Sequence, residues 1–236
     1  MAERLKSILR QTRWSLLIKA VIFAGAWLVL PFWLFLLVAL YAYFVPVPQS
    51  RVVAGPFLVL LLLIALEPKS LVFAAIFGAI FFYMLLIKEF VLIDRKSAHE
   101  VIVLVLSFFL IRDFYIRQGG AMTGWSFFYS FCVALILGLM ISNYIRFGGT
   151  SEPNTGVKRM AVWLSTLLIW QLIIVGLFLP VDFIYQSVIV FLGVIPLIDL
   201  VPQYLFGDAT RQKSLIAASV IFVLFVLVLG SARWGL

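Results

Sequence analysis

The residues best able to do chemistry in this chain are few, and they lie inside apolar sequence. Asp199 sits in Ile195-Pro196-Leu197-Ile198-Asp199-Leu200-Val201-Pro202, a carboxylate bracketed by two prolines. Proline lacks an amide hydrogen, so a break here, with carbonyls freed beside the acid, is the expectation. In a membrane segment such a break builds cation or proton sites. The plainer alternative is an ion pair with Arg211, Lys213 or Lys88 near a helix end marked by Pro202. Gln171 and Thr166, in the preceding apolar run, either line the same path or bond between helices.

Arg112, Asp113 and Arg117 form a second group. On one helix Asp113 and Arg117 are four residues apart with the acid first, the favoured order for a pair. Arg112 points about 100° away and needs another counter-charge. Asp182, in the turn after Pro180, is the expected one. The group reads either as charges that clamp helices or as the mouth of an anion or substrate path.

His99, the only histidine, adjoins Glu100 at the end of an apolar run. One His and one acid fall short of the three or four ligands of a metal site, so no metal and a solvated pair are expected. There is no credible Ser-His-Asp set, phosphate-binding glycine loop or dinucleotide fingerprint. The last apolar segment, Ser214 to Leu229, has no Lys for a retinal Schiff base. No cofactor and no catalytic residue are assigned.

The elements that must position these groups follow from composition. Of 236 residues, 65% are hydrophobic and 12% charged, against roughly 45 to 50% and about 25% in soluble domains. Only a bilayer can solvate that much apolar surface. The net charge of +8 is scattered between apolar runs, so it reads as a topology signal and not as a nucleic-acid surface. Cys132 is the only cysteine, which excludes a disulfide within the chain.

Apolar runs cover Ser15 to Phe44, Val52 to Leu66, Leu71 to Ile87, Val101 to Ile116, Trp125 to Ile145, Met160 to Leu179, Phe183 to Phe206 and Ser214 to Leu229. The first, if straight, would reach about 45 Å against a hydrocarbon core of about 30 Å. Pro31 lies in its middle with Trp27 and Trp33 either side, so a hairpin tip at Leu30-Pro31 is expected. With the run split, thirteen Lys and Arg fall on the N-terminal side of the membrane and three on the other; unsplit, the numbers are seven and nine. Cytoplasmic loops collect positive charge, which favours the split and a cytoplasmic N-terminus.

The expected fold is therefore all-α, a polytopic transmembrane bundle of about nine segments over a single integral membrane domain, 1-236. The first two segments form a full hairpin or a short re-entrant one. The basic start, 1-14, reads as a retained cytoplasmic anchor and 146-159 as a cytoplasmic linker. Trp14, Tyr43, Tyr144, Trp163 and Tyr204 would mark one interface, and Trp27, Trp33, Trp125, Tyr185 and Trp234 the other. Leu28-Pro31 and Leu177-Pro180, followed by Val47-Gln49 and Val201-Gln203, hint at a parallel repeat. Ala74 with Gly78, Ala75 with Ala79, and Gly138 with Ser142 would let helices approach closely.

Three functions fit. A small permease or channel, with Asp199, Gln171, Arg112, Asp113 and Asp182 along a path, ranks first. A non-catalytic subunit or scaffold of a membrane complex comes next, and an enzyme acting on lipid-linked substrate through His99, Glu100 and Lys96 last. The expected partners are the lipid bilayer and other membrane subunits or a second copy, and the expected location is a prokaryotic plasma membrane.

Overall fold

Pro31 ends one helix and starts another. In the computed structural model α1 runs Ala2–Val29 and α2 Phe32–Phe44. Phe23 meets Phe35 with ring centres 5.1 Å apart, so the two helices fold back on each other about the Leu30-Pro31 turn. The structure describes residues 2–45, 53–89, 95–118, 123–148, 155–206 and 210–232, and the backbone only of 2–13, 95, 96, 147, 148 and 213.

Among the described residues the chain is all-helical, with nine helices. The others are α3 (Ala54–Leu66), α4 (Leu71–Glu89), α5 (Arg95–Gln118), α6 (Gly124–Gly148), α7 (Thr155–Leu177), α8 (Phe183–Phe206) and α9 (Arg211–Ser231). Five are long and apolar enough to cross a membrane: α4, most of α6, α7, α8 and the Ser214–Ser231 part of α9. Trp14–Val29, α2 and α3 are apolar but shorter. The expected linker 146-159 is helical at both ends, and 149–154 lie outside the described residues.

The chain divides into two compact units, Met1–Ala98 and His99–Leu236. In the first, α1 packs chiefly on α4, with α2 against α1 and α3 against α4. A Cβ on Gly78 would lie 3.1 Å from the Ala24 methyl, so the small residues do bring α1 and α4 close. Aromatic rings fill the interior: Phe23 stacks on Phe81 at 4.1 Å and Tyr43 on Phe57 at 4.0 Å. In lipid such contacts contribute through dispersion and close fit, because the tails are as apolar as the side chains.

In the second unit α6, α7, α8 and α9 pack in sequence. A Cβ on Gly138 would overlap the Thr166 hydroxyl, and one on Gly176 the Tyr115 hydroxyl. Any larger residue at these positions would push against the Thr166 or Tyr115 side chain. Trp170 donates to the Ser130 hydroxyl at 3.1 Å, and Tyr115 to the Ile173 carbonyl at 2.7 Å. At the end of the bundle Tyr185 donates to the Ser231 carbonyl at 3.1 Å, tying the start of α8 to the end of α9.

One expectation is corrected. The Pro196 to Pro202 stretch is not broken: α8 is helical through both prolines. Packed neighbours hold such a helix together although the bonds to the Leu192 and Ile198 carbonyls are missing. Of the aromatic residues expected at the interfaces, Trp27, Tyr43 and Tyr144 are buried inside their units and Trp14, Trp33, Trp125, Trp163 and Tyr204 are exposed; Trp234 lies outside the described residues. Of the suggested repeat, Val47-Gln49 is likewise outside them, and α2 has 13 residues where its counterpart α8 has 24.

Candidate functional site

Polar groups in the first unit are used to finish helices. The last carbonyls of a helix have no partner within it. Lys88, buried on α4, donates to the Tyr43 carbonyl at the end of α2, and its ammonium lies 5.1 Å from the Tyr43 ring centre. Lys19 reaches the next turn of the same end, donating to the Val45 carbonyl at 2.7 Å while pairing with Glu89 at 3.5 Å. At the opposite end Lys69 donates to the Leu30 carbonyl at 2.6 Å, beside the Pro31 turn. Each ammonium also meets the negative end of a helix dipole.

In the second unit the sequence-predicted residues are placed separately. Asp113 is buried and takes Arg117 Nε on both oxygens, at 3.0 and 2.8 Å, the pair expected from spacing. Asp182 is exposed; its carboxylate accepts the Phe183 amide at 2.7 Å and its carbonyl the Gln186 amide at 3.0 Å. It caps the start of α8. Arg112, half-buried, is partnered. Asp199 is half-buried and accepts from Gln203, one turn further on. Among the described residues of its unit it makes no ion pair, so the expected bridge to Arg211 is not present; the Lys213 side chain lies outside the described residues.

Gln171 is the exception. It lies in the apolar part of α7 and is exposed on the surface of the unit. Thr166, by contrast, is buried and donates to the Val162 carbonyl at 2.8 Å. Leu164, Leu168, Val175 and Phe178 are exposed as well, between 47% and 66%. Together with Gln171 they recur at intervals of four and three, the 3.5-residue period of a helix seam.

His99 overturns its expectation. It is only 2% exposed, so it is not a solvated partner of Glu100. Neither ring nitrogen has a hydrogen-bond partner among the described residues, and the ring lies 5.7 Å from that of Tyr144. Glu100 instead accepts from the Tyr144 hydroxyl at 3.1 Å. Burial pushes the imidazole down to about 4, since the cation would lose its hydration. Sequence offered no signal for this, because a His at a helix end is ordinarily wet.

Two grooves flank α7. One, of about 310 Å³, lies between α6 and α7; the other, of about 470 Å³, lies between α7 and α8. Among the described residues no three His, Cys, Asp or Glu gather as metal ligands would. No family model, curated protein or solved structure matches this chain. Its class therefore rests on its fold: a helical membrane protein with five helices able to span.

Proposed function

We propose that this chain is a non-catalytic subunit or scaffold of a membrane complex, joined to its partner through the exposed face of α7. The observation that carries the reading is Gln171. An amide in the apolar part of a helix, exposed and with no partner among the described residues, costs free energy against lipid tails. A neighbouring helix that bonds to it removes the cost, and one polar residue within an apolar seam also sets register. Asp113, Asp182 and Asp199 support the same reading, since each is engaged on its own helix or at a helix start. Nine crossings with a cytoplasmic N-terminus in a prokaryotic plasma membrane go with it, on the strength of the positive-charge distribution.

The test is assembly size in a mild detergent and in bilayers, with crosslinking from a cysteine placed at Val175. A defined larger assembly is expected, and Gln171→Leu should weaken it by roughly five- to thirtyfold, the range for an intramembrane hydrogen bond of about 1 to 2 kcal/mol. A chain that stays monomeric in bilayers would sink the reading.

A second reading, a small permease, is favoured by one feature. Pro196 and Pro202 leave the Leu192 and Ile198 carbonyls without their usual helical donors around Asp199. On this reading Asp199→Asn abolishes cation- or proton-coupled uptake into vesicles; unchanged uptake removes Asp199 from any path.

A further inference from the structure

The two grooves beside α7 differ in one respect that points to a ligand. The α7–α8 groove is lined by apolar residues with Ser165 and Tyr204 and carries no charged residue among those described. The smaller α6–α7 groove carries Lys158 and Arg159 together, with Thr155 and Ser142 near them and no acid among the described residues of its lining. Both cations stand near the start of α7, Lys158 at the end of its first turn and Arg159 just after it, where the helix dipole is positive.

From that end the groove continues along Leu139, Val162 and Trp163 to Leu135. Leu135 lies seven residues before Ser142 on α6, two turns or about 10 Å. Leu139 and Trp163 are 69% and 52% exposed, so the groove opens sideways, on the face that lipid would bathe. A doubly basic head at one end and an apolar trough leading from it along the membrane normal match an anionic phospholipid, phosphate first and acyl chain after. A free anion would use the cations and leave the trough unused; a neutral lipid would use the trough and leave the cations uncompensated.

We infer that the α6–α7 groove is a binding site for an anionic phospholipid, with Lys158 and Arg159 holding the headgroup phosphate and Leu139, Val162 and Trp163 the first part of a chain. The site does not depend on the complex reading, since it lies on a different face of α7 from the Gln171 seam.

The experiment uses the full chain, delipidated in detergent, with retention of phosphatidylglycerol and phosphatidylcholine compared by native mass spectrometry. The wild-type chain should prefer phosphatidylglycerol, and the Lys158→Gln/Arg159→Gln variant should lose roughly tenfold of that preference. Leu139→Trp, which fills the trough, should lower retention of both lipids and leave the ratio between them. Arg211→Gln, at the same end of the bundle but outside the groove, should change nothing. As a second readout on the folded wild-type chain, phosphatidylglycerol brominated on its chain should quench Trp fluorescence more than it does in Trp163→Phe. An unchanged preference in the double variant overturns the site, and so does an equal fall in Arg211→Gln. Equal displacement of the lipid by glycerol phosphate at matched concentration would assign the groove to free phosphate.

Discussion

Within the α1–α4 unit, charge is put to use at helix ends, whereas in the α5–α9 unit Asp113 and Asp199 are each engaged along a single helix. Lys19, Lys69 and Lys88 each reach across to a carbonyl at the end of another helix. Asp113 and Arg117, and Asp199 and Gln203, satisfy one another a single turn apart. The first arrangement ties helices together, so its loss is felt by the fold. The second neutralises a helix internally and holds little else in place. Gln171 and His99 lie outside both schemes, one exposed and one buried.

The contrast is open to direct attack, and the largest effect should come from Lys88. Lys88→Met keeps the length of the side chain but removes the ammonium's buried hydrogen bond to the Tyr43 carbonyl, a charge-assisted bond whose loss should cost about 2 kcal/mol. Denaturation of the purified chain in mixed micelles reads this; a loss within a few tenths of a kcal/mol would show that the ammonium does not tie α2 to α4.

The reverse is expected at His99. Replacing a buried, unpartnered imidazole by an apolar ring removes a desolvation cost, so His99→Phe should leave stability unchanged within about 1 kcal/mol or raise it at neutral pH. The same residue should make the wild type acid-sensitive. His99 precedes the 101–116 apolar run, and its folded value of about 4 lies below the ordinary 6.5. Between those values the unfolded chain binds the proton and the folded chain does not. Its contribution is therefore intact above about pH 6.5 and is lost as pH falls towards 4, at up to roughly 1.4 kcal/mol per pH unit. A stability profile whose slope in this window survives in His99→Phe would assign the sensitivity to another group.

The smallest effect belongs to the local pair. Arg117 is 48% exposed at its side chain, so Asp113→Asn should cost about 0.5 kcal/mol, the range of a one-turn pair. A loss several times larger would mean that Asp113 holds helices together as the lysines of the first unit do.

What was legible in the sequence is what depends on neighbours along the chain. The bilayer as solvent follows from composition, the turn at Leu30-Pro31 from one proline in an overlong apolar run, and the Asp113–Arg117 pair from a spacing of four. The close approach at Gly78 and Gly138 was readable for the same reason, since a missing side chain is a local fact. Which surface each glycine meets was not.

Only the tertiary structure decided where the remaining polar groups end up. Lys88 and Tyr43 are 45 residues apart, and nothing along the chain announces that one will cap the helix that carries the other. His99 has the sequence surroundings of a wet helix end, and the Tyr144 ring and the packing around it make it dry. The prolines of α8 argue locally for a break that neighbouring helices override, and Gln171 is inward or outward only once α6 and α8 have chosen their sides of α7. Local preferences are set by a few bonds, while burial is set by everything that packs around a residue, and that is a property of the assembled helices.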